Sequence, residues 1–555
     1  MHTDWYKKAV VYQIYPRSFC DSNGDGFGDI KGITSKLDYL KELGVNCVWL
    51  SPVYDSPQED NGYDISDYYN IYPPFGTIDD FKEMLDEMHK RGIKLIMDLV
   101  VNHSSSEAEW FKKATSSIDS EEKKYYKDFY IIREGKKGGK KPPNNWTGFF
   151  GGSTWERING TNEYYLHLFA KGQPDLNWEN ENVRKEVVKI LKFWLDMGVD
   201  GFRCDVINLI SKKQDFKSRF PSIALCGKDA YINGPRLHEY LHYLYEEAYS
   251  KYDVMTVGET ALSKMKDVKK MISKDREELD MVFNFDHTDT DNFFGVKYLY
   301  RKFKLNRFKK RLSKWQYGLE GWGWNSLFIE NHDQRRSSGR FGTTLDEYKT
   351  ISSKSLATAY FLLKGTPFIY QGQEIGMENF GSTNINDYQD VEIKNMYKMA
   401  QSNAFIRMLI KKHLFEVSRD NARTPMQWDN SKNAGFSSGT PWLQINSNKD
   451  RINVKKSLED ENSLFYYYKK LIEIRKEHDA IINGKYKLLL KNDKNIFSYL
   501  RTIEKEEILV ISSFSRKVLK NKIDTSSYKL LLSNYEEISE DVLKPFEARV
   551  YIKEL

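Results

Sequence analysis

Four cysteines in 555 residues (Cys20, Cys47, Cys204 and Cys226) are too few to staple a chain of this length, and none falls in a CxxC spacing. A disulfide scaffold and a thiolate metal cluster are therefore excluded as the basis of the fold. Long apolar runs are missing as well: no stretch approaches the roughly 18 apolar residues that a membrane-spanning helix needs. The N-terminus, MHTDWYKKAVVYQ, has neither the apolar core nor the cleavage site of a signal peptide. The expectation is a reduced, cytoplasmic protein with no membrane association. Charge of one sign is also scarce, since 85 basic against 79 acidic residues leave only +6. That imbalance argues against a nucleic-acid partner. The one lysine cluster, EGKKGGKK at 134–141, is Gly-rich and reads as a solvated loop. Aromatic residues, at 14%, are plentiful; they serve a large core and sugar-binding ring faces equally well.

Short β-branched runs recur along the chain, most of them followed by amphipathic helical stretches. The strand candidates are VVYQIYP near 10, VNCVWLSP near 45, IKLIMDLVV near 93, VDGFRCDV near 199, VMTVGE near 254, MVFNFD near 281, SLFIENHD near 326 and TPFIYQGQE near 366. Between them, TIDDFKEMLDEMHKRG has a Thr cap, an acidic first turn and a closing Gly; NVRKEVVKILKFWLDMG and SLEDENSLFYYYKKLIEIRKEH have the same helical character. Eight strands in this beat predict an α/β fold, a closed (β/α)8 TIM barrel, with a doubly wound open sheet as the competitor. Residues 104–181 are too long for a connection and read as an inserted small domain. After about 482 the helices stop, and KYKLLLKNDKNIFSYLRT, EILVISSFS, YKLLLSN and ARVYIKEL predict a C-terminal antiparallel β-sandwich. The expected organisation is a catalytic barrel of 1–103 and 182–481, an inserted domain of 104–181 and a C-terminal domain of 482–555.

Barrel chemistry sits at the C-terminal ends of the strands. There the third candidate ends in Asn102 and His103, the fourth in Arg203 and Asp205, the fifth in Glu259, and the seventh in His332 and Asp333. Singly, each acid reads as a helix cap and each His as a core residue. Three carboxylates gathered in one cleft would repel one another, and stability alone does not favour that. Like charges push pKa values apart, keeping one carboxyl protonated beside an ionised neighbour, as glycoside cleavage requires.

The words DLVVNH, GFRCDVIN, VGET and ENHDQ resemble the four signature regions of glycoside hydrolase family 13, the α-amylase superfamily. QPDLNWEN at 173–180 and SRDNARTPMQWD at 418–429 resemble signatures of its oligo-1,6-glucosidase branch, which also holds dextran glucosidases, trehalose-6-phosphate hydrolases and sucrose isomerases. The resemblance implies Asp205 as nucleophile, Glu259 as general acid and base, and Asp333 as stabiliser of the transition state. It implies that Arg203 keeps Asp205 ionised, that His103 and His332 bind sugar hydroxyls, and that Tyr63 stacks on the terminal glucose. Retention of configuration follows, with the Asp205 and Glu259 carboxyls about 5 Å apart. In the branch, the Asp of NGYD (Asp64) pairs with the Arg of SRDNAR (Arg419) and closes the pocket behind the terminal glucose, which implies exo action on a small oligosaccharide by a monomer. Val206, directly after the nucleophile, goes with α-1,6 preference.

There are departures from the branch. Arg335-Arg336 stands where Pro-Arg is usual, keeping a phosphorylated substrate in view. Thr260 stands where Met is common and leans toward the dextran-glucosidase side, and Cys204 stands where Met is common and reads as a buried packing swap. Trehalose-6-phosphate hydrolase and sucrose isomerase are the near rivals. A non-catalytic amylase-like transporter subunit is disfavoured by the complete set of carboxylates.

DSNGDGFGD at 21–29 begins like an EF-hand loop, but its twelfth position is Gly32 and a strand precedes it. The family resemblance instead implies one structural divalent cation, Ca2+ or Mg2+, held by Asp21, Asn23, Asp25, Asp29 and the carbonyl of Phe27. All are oxygen donors, suited to a hard ion.

Overall fold

The computed structural model describes residues 3–222, 225–293 and 296–555. All eight expected strands form: β1 (Val11–Ile14), β2 (Cys47–Leu50), β3 (Lys94–Leu99), β4 (Gly201–Cys204), β5 (Met255–Glu259), β6 (Met281–Phe283), β7 (Ser326–Leu327) and β8 (Thr366–Tyr370). They make one parallel sheet in the order β6-β5-β4-β3-β2-β1-β8-β7. Strands β1 to β6 join in sequence order, β7 joins β8, and β8 returns beside β1, with Val11 opposite Phe368. That return belongs to a (β/α)8 barrel and has no place in an open doubly wound sheet. The strands are buried nearly throughout, as their continuous apolar runs require.

The chain divides into two compact units, one built from Trp49–Asp86 and Leu95–Asn284, the other from Asp4–Val48, Glu87–Lys94 and Phe285–Leu555. In the first, the long segment after β3 folds into helices Glu109–Ala114 and Glu121–Lys127 and a three-stranded antiparallel sheet. In that sheet Glu163–Leu166 lies between Ile132–Glu134 and Trp155–Arg157. Its core of Trp146, Trp155, Leu166 and Leu168 packs on Leu209, Phe216 and Tyr231, which follow β4. The insertion thus shares its core with the β4 loop. Helix Glu181–Asp196 then leads into β4, capped by Asn180, which accepts from Asn182 N.

In the second unit the helical stretch expected after 456 divides into Val454–Glu459 and Leu464–Glu477. Polar residues between them bond locally instead of continuing the helix: Asp460 accepts from Asn462 N, and Ser463 caps the second helix by accepting from Tyr466 N. The C-terminal strands form a five-stranded antiparallel sheet in the order Lys485–Leu489, Ile496–Thr502, Glu506–Ser513, Ala548–Glu554, Lys529–Ser533. A two-stranded ribbon, Leu519–Lys520 with Val542–Leu543, accompanies it.

Lys212, fully buried in the β4 loop, ties the end of the insertion to the end of β3. Its Nζ pairs with Asp175 at 2.8 Å and donates to Asn102 Oδ1 at 2.8 Å. Removing the cation would leave Asp175 as an unpaired buried charge. Lys212→Met is therefore expected to destabilise the protein by roughly 3–5 kcal/mol in chemical denaturation, with Lys212→Met/Asp175→Asn recovering most of the loss. A double variant as unstable as the single one would contradict this.

Candidate active site

The register of β3 against β4 sets Asp98 opposite Arg203, and the site in the first unit grows from that pair. Arg203 is buried, and its Nη1 donates to Asp98 and to Asp205, the latter at 2.6 Å. Its Nη2 donates to Glu259, at the end of β5. One guanidinium therefore serves three carboxylates. Asp98 is oriented from behind by Trp49 Nε1 at 2.9 Å and Tyr63 Oη at 3.4 Å, and the Trp49 and Tyr63 rings lie 5.2 and 5.7 Å from the guanidinium carbon.

A single positive charge cannot hold three buried carboxylates fully ionised. Burial pushes Asp98 up to about 6 and Asp205 up to about 7, although Arg203 pulls both down. A hydrogen bond from Glu259 also favours the ionised form of Asp205. Asp205 and Glu259, the nucleophile and the acid/base expected from sequence, meet on the same guanidinium.

Val206, next in the chain, has φ 34°. A β-branched residue rarely occupies that left-handed region, and the strain sits directly beside the candidate nucleophile. Its side chain is buried among Leu209, Trp146 and Tyr231, and its N–H points to Glu259 at 3.4 Å. Thr260 is buried and donates to the Phe283 carbonyl, and Cys204 is buried against Tyr249.

Lys212 also sets the state of His103. By donating to Asn102 Oδ1 it turns the Asn102 amide so that Nδ2 donates to His103 Nδ1 at 3.2 Å; His103 Nε2 then donates to the Tyr63 carbonyl at 2.9 Å. Burial holds the ring down at about 4, so it is neutral. A sugar hydroxyl bound at Nε2 would have to replace the Tyr63 carbonyl. Asp64 is buried and accepts from Ser56 Oγ, Glu59 N and Asp60 N; burial pushes it up to about 7.

Asp333 lies in the second unit, where the electrostatics are reversed. Its carboxylate, about a third exposed, accepts from Arg423 at 2.7 Å and meets Arg419 at 3.5 Å and His332 Nε2 at 3.1 Å. Desolvation pushes the group up, but His332 and the two guanidiniums prevail and hold it well below the usual carboxylate range. Gln13 donates to His332 Nδ1 at 2.8 Å and Tyr15 stacks on the ring. Asp333 therefore accepts hydrogen bonds and cannot act as an acid. Within the second unit Arg419 pairs with Asp390 at 2.6 Å; Asp64, the partner expected from sequence, belongs to the first unit, where it accepts from Ser56, Glu59 and Asp60.

Arg335 and Arg336 are both buried. Arg335 joins Asp291 at 2.6 Å and Glu416, over the Tyr300 ring; Arg336 joins Glu330 and the carbonyls of Gln371 and Ala422. They are packing cations, not free phosphate ligands.

The DSNGDGFGD loop curls by successive bonds from Asn23 N to Asp21, Asp25 N to Asn23, and Phe27 N to Asp25. Gly24 and Gly26, with φ 84° and 94°, let it lie on the 438–440 backbone, where a Cβ would meet Ser438 Oγ at 2.5 Å and the Thr440 carbonyl at 2.0 Å. The donor set is all oxygen, as a hard cation requires. However, Asp21 already accepts from three backbone N–H groups and Ser437, and Asp29 caps helix Ile30–Thr34. Among the described residues no group of three or more His, Cys, Asp or Glu side chains is placed to hold a metal ion.

Sequence reading missed Asp98, Trp49, Asp390 and Arg423. Asp98 carried a signal, an acid within the apolar run LIMDLVV, which in a buried strand demands a cation. Arg423 and Asp390 carried none outside their long-range contacts.

Raising the pH toward about 7 is expected to increase kcat/KM as Asp205 ionises. Arg203→Lys, which keeps one charge but loses the fork, should move that acid limb to higher pH and lower kcat/KM at neutral pH by roughly a hundredfold or more. A limb at the same pH in both proteins would contradict the electrostatic role given to Arg203.

Residues 13–484 match the alpha amylase catalytic domain. The chain is 53% identical to the oligo-1,6-glucosidase of Parageobacillus thermoglucosidasius over 99% of both proteins. The structure of trehalose-6-phosphate hydrolase from Bacillus licheniformis matches with a TM-score of 0.91 at 47% identity, over 99% of each chain. That of trehalulose synthase from Pseudomonas mesoacidophila matches with a TM-score of 0.93 at 38% identity, again over 99% of each. With the barrel and the Arg203-bridged carboxylates in place, the chain belongs to the alpha-amylase family of glycoside hydrolases.

Proposed function

We propose that the protein is a retaining, exo-acting α-glucosidase that releases glucose from the non-reducing end of short α-1,6-linked oligosaccharides. The observation that carries this reading is the Asp205–Glu259 pair on one guanidinium. Asp205 attacks the anomeric carbon while Glu259 gives its proton to the departing glycosidic oxygen, forming a β-glucosyl ester. Glu259 then takes a proton from water, whose oxygen displaces Asp205 and restores the α configuration. Asp333, held ionised by its cations, accepts hydrogen bonds from sugar hydroxyls and stabilises positive charge at the ring. Four buried free thiols, and no helix among the described residues able to cross a membrane, suit a monomer working in a reducing cytoplasm.

The 53% identity to an oligo-1,6-glucosidase supports the linkage, as does the buried, branched Val206 beside Asp205. The second reading, hydrolysis of trehalose 6-phosphate, rests on a relative of that activity at 47% identity. Burial and pairing of Arg335 and Arg336 weigh against them as phosphate ligands. Glucose release from isomaltose is expected to exceed that from maltose, sucrose and trehalose 6-phosphate, and Val206→Ala should raise maltose turnover relative to isomaltose several-fold. Trehalose 6-phosphate as the leading substrate would overturn the assignment.

The loop at 21–29 would hold one hard divalent cation, Ca2+ or Mg2+, through oxygens of Asp21, Asn23, Asp25, Asp29 and the Phe27 carbonyl, in a structural role. Because the loop is already closed by its own hydrogen bonds, the expected effect of EDTA is a fall in Tm of about one degree, roughly 1 kcal/mol for a chain of this size, at unchanged kcat. Loss of turnover with Tm unmoved would contradict a structural ion.

A further inference from the structure

Helix Leu305–Leu319 has two faces. Phe308, Leu312, Trp315 and Leu319 are buried. Its other face sets Arg307, Lys310, Arg311 and Lys314 at helical spacing along one wall of a cavity of about 610 Å3, a size usual for small-ligand sites. Arg301 adds a fifth cation, and among the described residues Asp286 and Asp289 are the acids in the lining. Asp286 is taken up by Lys314 at 2.6 Å, with Arg311 at 3.7 Å and Trp315 Nε1 at 3.0 Å. Asp289 accepts from Asn292. Arg307 Nη1 is buried without a hydrogen-bond partner. A guanidinium N–H out of water and without an acceptor is costly, and an anion in the cavity would remove that cost.

We propose that this cavity is an effector site for the phosphate group of a small metabolite, gripped by Arg307 and Lys310 with help from Arg301. Planar guanidinium donors and a mobile ammonium suit a tetrahedral dianion better than a carboxylate. The cavity lies in the same unit as Asp333 and is wired to its loop. Thr290 and Asn292 line it, and between them Asp291 is held by Arg335 at 2.6 Å and by Arg340 at 2.7 Å. Arg340 also donates to the Thr288 carbonyl. Arg335 stands two residues after Asp333. An anion that draws Arg301 and the 288–292 segment inward shifts Asp291, and through Arg335 the Asp333 loop.

The test uses inorganic phosphate as the probe, against chloride at matched ionic strength, with Tm and kcat/KM for glucoside hydrolysis read on the full chain. Phosphate is expected to raise Tm and change kcat/KM over the same concentration range. Arg307→Ala/Lys310→Ala should keep its activity without phosphate and need roughly tenfold or more phosphate for either effect. Should the double variant not fold, Arg307→Gln alone should shift both curves in the same direction. A wild type that responds equally to phosphate and chloride overturns the site, as do curves the substitutions leave unmoved. A phosphate-raised Tm with kcat/KM unchanged overturns the effector role.

Discussion

One buried guanidinium bonded to three carboxylates is the constraint around which the first unit is built. Arg203 stands on β4, Asp98 opposite it on β3, Glu259 at the end of β5 and Asp205 just past β4. The register of neighbouring parallel strands delivers all four groups to one place, and no loop has to be trusted to do so. The shortage of positive charge is chemically useful. A double displacement at an anomeric carbon needs one acid and one base, and carboxylates that compete for one cation in a buried site can divide in that way.

Asp333 is built on the opposite principle. It meets three cationic or hydrogen-donating side chains, Arg419, Arg423 and His332, and is held ionised by them. Such a group cannot lend a proton, but it is an unvarying acceptor. The protein thus separates a tunable pair from a fixed charge by the number of cations supplied to each, using the same side-chain type throughout. Positioning residues extend the scheme: Lys212 orients the Asn102 amide, which in turn fixes the neutral tautomer of His103.

The fold was largely legible in the sequence because parallel barrel strands are buried on both faces and leave unbroken β-branched runs, and all eight were found where such runs occur. Glu259 was legible because it ends β5 and Asp205 because it directly follows β4, whereas Asp333 stands six residues past the short β7. Asp98 was harder to find: it lies inside a run, and its need for Arg203 becomes visible only once the β3–β4 register is known. Asp390, twenty-nine residues before Arg419, carried no sequence signal of its own, and its hold on that guanidinium becomes visible only in the fold. Arg335 and Arg336 looked like free cations and are packing cations, because sequence shows charge but not the carboxylates that meet it. The helical stretch near 460 divides for local reasons that Asp460 and Ser463 could have announced.

The central claim is that Asp205 attacks carbon and Glu259 moves the proton, so that two inversions occur in sequence. The most direct measurement is the anomeric form of the first glucose released from isomaltose, followed by proton NMR before mutarotation equilibrates the product. The account predicts α-glucose as the initial product. Initial release of β-glucose would mean a single displacement by water and would contradict the role assigned to Asp205.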